Sequence, residues 1–436
     1  MRQMKESGVQ WLGIVPANWE ISRLKSRISK RFGGAWGEEP TPDNMDNARL
    51  CIRIADFDFN TQTVKSSAST LRVYTYSQIY KTKLLDGDII VEKSGGGEKT
   101  PVGRTIIYNS QQFNGAEVLF ANFCECFRLK NVESKFFAYI MKSFYQSNDM
   151  HLYFNQTTGL QNLDIEAVIN SKAVFPPLEI QKGIVSFLDK ECAKIDSIYA
   201  DVEKQIETLE QYKRSIIQES VTKGLNPEAE IVQHRIKYVG CIPKDWEVKK
   251  GKFIFGYIQK PVKDDDGVIT CFRDGEVTLR SNRREDGFTI SEKEIGYQGI
   301  DVGDLIVHGM DGFAGSIGIS DSRGKASPVL NNLLTDQNKR YYMYYLRTMA
   351  YKGVFISLST GIRVRTCDTN WGKLREIYYA LPPIEEQEEI ANYLDKKCAE
   401  IESVIADKKK QLEVLDNYKK SLIYEYVTGK KEVVNE

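Results

Sequence analysis

PPLEIQKGIVSFLDKECAKIDSIYADVEKQIETLEQYKRSIIQESVT, which begins at Pro176, occurs a second time as PPIEEQEEIANYLDKKCAEIESVIADKKKQLEVLDNYKKSLIYEYVT, which begins at Pro382. The two copies align without a gap at an offset of 206, and about half of their positions are identical. Weaker repeats precede them: GIVPANWEISRLK from Gly13 matches GCIPKDWEVKKGK from Gly240, and GDIIV from Gly87 matches GDLIV from Gly303. The chain is therefore a tandem duplication in which a variable body precedes each copy of a near-constant segment.

Each near-constant segment is predicted to form one long helix. A proline pair stands where a helix can begin, and acidic residues follow in the first turn. Apolar residues then recur every three or four positions, with Gln205 and Gln411 predicted at matching inward positions. The stripe consists of Ile195, Ile198, Val202, Leu209, Tyr212 and Ile216 in the first copy, and of Ile401, Val404, Leu412, Leu415, Tyr418 and Leu422 in the second.

This narrow stripe with charged flanks is typical of a coiled coil, and we expect the two helices to pair antiparallel. A helix of about 45 residues is about 65–70 Å long and could hold the two bodies at a fixed separation. Two independent amphipathic surface helices are the alternative.

The bodies are predicted to be mixed α/β domains with many short strands, so the whole chain is expected to be of the α+β class. LLDGDIIVEKS and GIDVGDLIVHGM each indicate a turn leading into a buried strand, and helices are expected from Ser134 and from Asp336. The predicted boundaries are 1–175 and 231–381 for the bodies, and 176–230 and 382–436 for the helical segments.

The composition is that of a globular protein, with 41% hydrophobic and 28% charged residues. The formal net charge is zero, but the two bodies carry about +3 and +5 while each helical segment carries about −4. No transmembrane helix or signal peptide is expected, and eight scattered cysteines suit neither a disulfide framework nor a zinc site. The expected compartment is the cytoplasm.

The repeated PPLEIQ and PPIEEQ helices that end in VT, each after a variable body, resemble the conserved regions of type I restriction–modification specificity subunits. GDIIVEKSGGG, PVGR and TTGLQNL in the first body are also similar to one class of target recognition domain. The resemblance implies that each target recognition domain reads one half of a split sequence in double-stranded DNA. It also implies helices that space these domains and dock two methyltransferase subunits, with motor–nuclease subunits joining for cleavage.

In the first body, two loops are candidates for DNA contact. The Gly-rich loop offers backbone amides and cations to phosphates, Arg104 could pair with a guanine edge, and the TTGLQNL segment offers amides that suit adenine. The alternatives without DNA contact are a surface turn for the Gly-rich loop and a polar turn before a helix for the TTGLQNL segment. The candidates are Lys93, Ser94, Gly95, Gly96, Gly97, Lys99, Arg104, Thr157, Thr158, Gly159, Gln161 and Asn162.

The second body has different loops, with HGMDGFAGSIG after Gly303-Asp304 and STGIRVR in the place of TTGLQNL. Different loops on one scaffold fit two domains that read different half-sites. The candidates there are Thr360, Gly361, Arg363 and Arg365, with Arg273, Arg280 and His308 as weaker ones beside Arg283 and Asp311.

Catalytic motifs are not found in the sequence. GGGEKT from Gly95 has Glu98 where a phosphate-binding loop has glycine before its lysine, and the proline pairs lack the motif of an adenine methyltransferase. Three histidines without metal spacing do not make a metal centre or a triad. We therefore expect a non-catalytic subunit without a cofactor. A coiled-coil scaffold that binds only proteins is the alternative function.

Overall fold

The computed structural model describes residues 2–97, 100–147, 149–157, 160–283, 294–357 and 369–433. The chain divides into two compact units, one of Met1–Asp201 with Lys410–Glu436 and one of Val202–Lys409. Each unit therefore holds one body together with parts of both long helices. The boundaries predicted at 175, 230 and 381 follow sequence similarity and stay a prediction.

Eight α-helices lie in the described parts of the chain. They are α1 Tyr76–Thr82, α2 Ser134–Tyr145, α3 Ile165–Asn170, α4 Leu178–Lys223, α5 Lys339–Tyr351, α6 Val354–Ser357, α7 Trp371–Leu374 and α8 Ile384–Val427. The predicted long helices α4 and α8 are confirmed, as is the helix from Ser134. The helix expected from Asp336 begins at Lys339, because Asn338 caps its first turn by accepting from the backbone N–H groups of Arg340 and Tyr341.

The strands of the first unit are short. They are β1 Met4–Glu6, β2 Ile14–Pro16, β3 Glu20–Arg23, β4 Ile28–Gly33, β5 Ala48–Ile52, β6 Phe57–Asp58, β7 Thr63–Val64, β8 Leu71–Val73, β9 Ile89–Glu92, β10 Ser94–Gly96, β11 Thr105–Ile107, β12 Val118–Phe120, β13 Cys124–Leu129, β14 Phe154–Thr157, β15 Leu160–Leu163 and β16 Lys172–Phe175.

The second unit has strands of similar length. They are β17 Ile231–Gln233, β18 Cys241–Pro243, β19 Glu247–Lys250, β20 Gly256–Tyr257, β21 Ile269–Cys271, β22 Val277–Leu279, β23 Gln298–Ile300, β24 Leu305–His308, β25 Ile317–Ile319, β26 Gly324–Ala326, β27 Leu330–Leu334 and β28 Tyr378–Leu381.

The sequence duplication reappears as a duplication of the fold. An antiparallel sheet of order β11-β9-β13-β4 in the first unit corresponds to one of order β25-β24-β27-β20 in the second. The hairpin β1-β2 corresponds to β17-β18, and the pair β3-β16 corresponds to β19-β28. Both predicted buried strands, β9 and β24, lie inside these sheets, and each follows a turn whose glycine has a positive φ, at Gly87 and Gly303.

The core of each unit joins its body to the long helices. Phe136, Phe137 and Phe144 of α2 are buried in one cluster with Leu188 of α4 and Leu422 of α8. The corresponding cluster of the second unit contains the buried tyrosines 341, 342 and 345 of α5 with Ile390 and Leu394 of α8. These three tyrosines are therefore part of the core of the second unit.

The same polar contact ties each body to a helix. Lys135 and Tyr139 of α2 donate to the carboxylate of Asp189 at 2.6 and 2.7 Å. In the second unit, Arg340 and Tyr344 of α5 donate to Asp395 at 2.5 and 2.9 Å. Asp189 and Asp395 are repeat partners at the offset of 206, so the contact is duplicated with the sequence.

Within each unit, α4 and α8 run antiparallel. In the first unit, Lys419 donates to Asp196 at 2.6 Å, and the rings of Phe187 and Tyr426 lie 4.4 Å apart. In the second unit, Lys408 donates to Gln205 at 2.5 Å, and Lys213 is paired with Glu402. The predicted antiparallel pairing is confirmed.

The predicted seam of this pair is partly wrong. Ile195 and Val202 are buried, but Ile198 and Tyr212 are exposed, as are their repeat partners Val404 and Tyr418. Gln205 and Gln411, which were predicted to point inward, are also exposed. Positions four residues after the buried ones, such as Tyr199 and Ile206, are half-buried instead. A narrow apolar stripe is compatible with core positions three or four residues apart, and the packing of the partner helix decides which of the two positions is buried.

Candidate nucleic-acid interface

The first body brings its two candidate loops together in one small sheet. Strand β10, from the Gly-rich loop, pairs with β15 of the TTGLQNL segment, and β15 pairs with β14. The Ser94 hydroxyl donates to the side-chain oxygen of Asn162 at 2.5 Å. The backbone N–H of Leu163 donates to the carbonyl of Lys93 at 2.8 Å. Motifs about 65 residues apart in sequence thus form one surface.

Two neighbouring amides of this sheet face opposite ways. Asn162 is exposed, whereas Gln161 is only 4% exposed and its side-chain oxygen accepts from the backbone N–H of Val102 at 3.2 Å. Successive side chains of a strand point to opposite faces, so only one of the two can face a ligand. The structure gives Gln161 an internal partner and leaves Asn162 at the surface.

Gly96 is required by close packing. A Cβ atom at this position would lie 2.2 Å from the backbone nitrogen of Val102, which is far inside van der Waals contact. Gly95 is exposed and has a φ of +117°. The glycines of the loop therefore serve the fold as well as any contact with a ligand.

Arg104 forms an ion pair with a buried carboxylate. Its Nε and Nη2 atoms donate to the two carboxylate oxygens of Glu92 at 2.8 and 3.0 Å, and the Glu92 side chain is fully buried. The hydrogen bond to Glu92 raises the pKa of Arg104 further above its usual value. The bidentate edge that could pair with guanine is therefore occupied inside the protein.

An apolar cleft beside this sheet was not predicted from the sequence. Phe123 is 51% exposed and lines the cleft with Trp36 and Ile54, and its carbonyl accepts from the backbone N–H groups of Lys93 and Ser94. The guanidinium carbon of Arg72 lies 4.0 Å from the centre of the Trp36 ring. Exposed aromatics beside cations are common in nucleic-acid sites. The sequence signal is weak, because Trp36 and Phe123 are distant from the motifs.

The second body gathers its weaker candidates around one cleft. This cleft has a volume of about 560 Å³. Its arginine, aspartate and histidine lining residues are Arg273, Asp274, Arg280, Arg283, His308 and Asp311. Arg273 donates to Asp311 at 3.0 Å, and Arg283 is 2.6 Å from Asp274. Arg273 and Asp311, which follow β21 and β24, are 38 positions apart in sequence and meet in this cleft.

Several candidates lie outside the described residues. These are Lys99, Thr158 and Gly159 in the first body and Thr360, Gly361, Arg363 and Arg365 in the second, while Thr157 is described as a strand residue opposite Leu160. Within the described residues, no group of three or more His, Cys, Asp or Glu side chains could hold a metal ion. In the same residues, no helix is long and apolar enough to cross a membrane.

Comparisons with known proteins agree with this architecture. Residues 59–208 match the family described as the type I restriction modification DNA specificity domain. The protein assigned as the type I restriction enzyme MjaX specificity subunit of Methanocaldococcus jannaschii is 24% identical, and the match covers 96% of this chain and 95% of that protein. This chain is therefore similar to type I restriction–modification specificity subunits over nearly its whole length.

Further proteins are similar over a shorter stretch or at lower identity. The MjaVIII specificity subunit of the same organism is 35% identical over 95 residues, which is 22% of this chain. Two solved structures share the fold at 14% identity. One, from work on complex assembly and conformational transition of the type I R-M system, has a TM-score of 0.67 and covers 96% of this chain and 99% of its own. The HsdS subunit from Thermoanaerobacter tengcongensis has a TM-score of 0.51, covering 96% and 98%.

Proposed function

We propose that this chain is the sequence-specific DNA-binding subunit of a type I restriction–modification complex. Each body, 1–175 and 231–381, reads one half of a split target in double-stranded DNA. The helical segments 176–230 and 382–436 set the spacing of the halves and dock the catalytic subunits. The chain itself supplies recognition, and the chemistry resides in its partners in the cytoplasm.

The observation that carries this proposal is a duplicated frame with different surface chemistry. The two bodies share the same four-stranded sheet and the same contact to the long helices. At the end of the matching central strands, however, one body has the buried pair of Glu92 and Arg104, whereas the other has His308 in an open cleft. A constant frame with variable ends suits a protein that reads two different half-sites.

The exposed apolar side chains of the helices support the docking of two methyltransferase subunits. Ile198 and Val404 are 50% and 45% exposed, and Tyr212 and Tyr418 are 56% and 54% exposed. Each pair is related by the offset of 206 residues, so each unit presents one isoleucine or valine and one tyrosine. Matching apolar patches on both units fit two copies of one partner. Motor–nuclease subunits would join this assembly for cleavage.

The DNA contacts of the first body are assigned to the surface of the small sheet. Asn162, Lys93 and the exposed backbone at Gly95 form this surface, with Phe123 at its edge. Backbone amides and a lysine suit phosphates, and the amide of Asn162 suits a base edge. In the second body, the cleft with Arg273, Arg280 and His308 has this role.

The test is to co-express the chain with its methyltransferase partner and to map methylated adenines across a host genome by single-molecule sequencing. We expect a split motif with a fixed gap. Replacing residues 1–175 with the corresponding body of another specificity subunit should change one half of the motif only. A stable complex that methylates no defined motif would contradict the proposal and favour the coiled-coil scaffold.

A further inference from the structure

His308 is held in one tautomer by the backbone that follows it. Its Nδ1 atom accepts from the N–H groups of Met310 at 3.2 Å and Asp311 at 3.0 Å. A ring nitrogen that accepts hydrogen bonds carries no proton, so the neutral imidazole has its proton on Nε2. The chain thus presents a hydrogen-bond donor of fixed identity at the end of β24.

This donor lies in the cleft of the second body, where the neighbouring carboxylates are already engaged. Asp311 accepts from Arg273 at 3.0 Å, and Asp274 lies 2.6 Å from Arg283. Within the described residues, the hydrogen bonds of the His308 ring are those of Nδ1. Burial lowers the pKa of His308, which keeps the ring neutral and the tautomer fixed.

The corresponding position of the first body has the opposite chemistry. Ile89-Ile90-Val91-Glu92 of β9 aligns with Leu305-Ile306-Val307-His308 of β24 in the same place of the duplicated sheet. Glu92 is fully buried and accepts from Arg104, whereas His308 lines an open cleft and offers a donor. Of the two strand ends, the second is therefore equipped to meet an acceptor on a ligand.

We propose that His308 donates from Nε2 to the N7 atom of a purine in the half-site read by the second body. This inference rests on the proposed function. Both purines present N7 as an acceptor in the major groove, where neither pyrimidine has an equivalent atom. Three arginines and two aspartates line the same cleft, so its lining has a net positive charge that favours the DNA backbone. His308 is thus a specificity-determining residue of the second body.

The test uses the full chain with its methyltransferase partner and duplexes that contain the mapped target. Each purine of the second half-site, on both strands, is replaced in turn by its 7-deaza analogue, which lacks the N7 acceptor. We expect one position at which the replacement weakens binding by about tenfold, the range for loss of one base contact. His308→Asn should bind natural and 7-deaza duplexes equally at that position.

Asparagine is chosen because its side-chain oxygen occupies the place of Nδ1 and can still accept from Met310 and Asp311, while its amide nitrogen takes the place of Cδ2 and leaves no donor at the place of Nε2. His234→Asn is the matched control, because His234 Nδ1 also accepts from a backbone N–H, that of Ile236 at 3.2 Å, but His234 is not among the residues lining the cleft. His234→Asn should behave like wild type.

Two results would overturn the inference while the proposed function stands. One is a wild-type complex that still binds its target in preference to a scrambled duplex but tolerates 7-deaza replacement at every purine of the second half-site. The other is a His308→Asn complex whose binding is weakened about tenfold by the same 7-deaza replacement that weakens binding of the wild-type complex. A wild-type complex that binds target and scrambled duplexes equally would instead overturn the proposed function itself.

Discussion

The side-chain oxygen of Gln387 accepts from the backbone N–H of Asn338 at 3.0 Å, while its side-chain nitrogen donates to the carbonyl of Pro382 at 2.8 Å. Gln181, its repeat partner, accepts from the backbone N–H of Glu133 at 2.9 Å and donates to Pro176 at 2.8 Å. The glutamine of the PPLEIQ and PPIEEQ motifs therefore links the start of each long helix to the cap of the helix that packs against it.

Replacing this glutamine should destabilise the protein. Gln387→Ala leaves the buried carbonyl of Pro382 and the N–H of Asn338 without their partner, at a cost of about 1–3 kcal/mol. The measurement is the midpoint of urea unfolding, with exposed Gln411→Ala as the control of the same residue type. Equal midpoints for Gln387→Ala and Gln411→Ala would contradict this role.

Arg104 should act on stability rather than on base recognition. Arg104→Ala leaves the fully buried Glu92 carboxylate unpaired, which typically costs about 3–5 kcal/mol. The double variant Arg104→Leu with Glu92→Leu removes both charges and should recover much of this loss. Unfolding midpoints and the methylated motif are compared. If Arg104→Ala changes the methylated motif but leaves the unfolding midpoint unchanged, this stabilising role is contradicted and Arg104 is instead a DNA contact.

Gln161 and Asn162 should separate stability from recognition. Gln161→Ala removes the buried acceptor of the Val102 N–H and should lower the free energy of unfolding by about 1–3 kcal/mol. Asn162→Ala removes the acceptor of the Ser94 hydroxyl and should lower stability less than Gln161→Ala, but it should weaken binding to the target duplex, because the exposed amide of Asn162 is the candidate for a base contact. If both variants weaken stability alone, the small sheet does not carry the first half-site.

His308 should also make stability depend on pH. Its pKa is lowered from 6.5, first by burial and then by Arg273, with Asp311 opposing, so the unfolded chain takes up a proton at a higher pH than the folded protein. The contribution of neutral His308 to the free energy of unfolding is complete above about pH 6.5, and it is lost as the pH falls through the pKa of His308 in the folded protein. His308→Asn should remove this part of the pH dependence. Identical slopes of unfolding free energy between pH 5 and 7 in wild type and His308→Asn would contradict it.

Much of the fold could be predicted because it follows from local patterns repeated along the chain. The long helices begin after their proline pairs, and the turns at Gly87 and Gly303 lead into buried strands, as the sequence indicates. The antiparallel pairing of the helices was predicted, but the inward places of Gln205 and Gln411 were not correct. The spacing of apolar residues predicts that a segment is helical, whereas the partner helix decides which positions of that helix are buried.

The candidate site was less accessible to sequence reasoning. The motifs pointed to the strands that carry Asn162 and His308, but the face of each side chain depends on pairings with distant residues, such as Ser94 with Asn162. Arg104 was a candidate for a guanine edge by its type and its place after a loop. Its engagement with Glu92 arises from the pairing of two strands and is invisible in either strand alone.

By itself the sequence determined that this protein is a duplicated α+β chain with two long helices, because repeats, caps and periodicity are local properties of the chain. Tertiary structure alone decided that Gln161 is internal and Asn162 exposed, that Ile198 and Val404 lie outside the helix seam, and that His308 keeps its proton on Nε2. These outcomes depend on which atoms meet across the fold, since a side chain's burial and its hydrogen-bond partners are set by its neighbours in space.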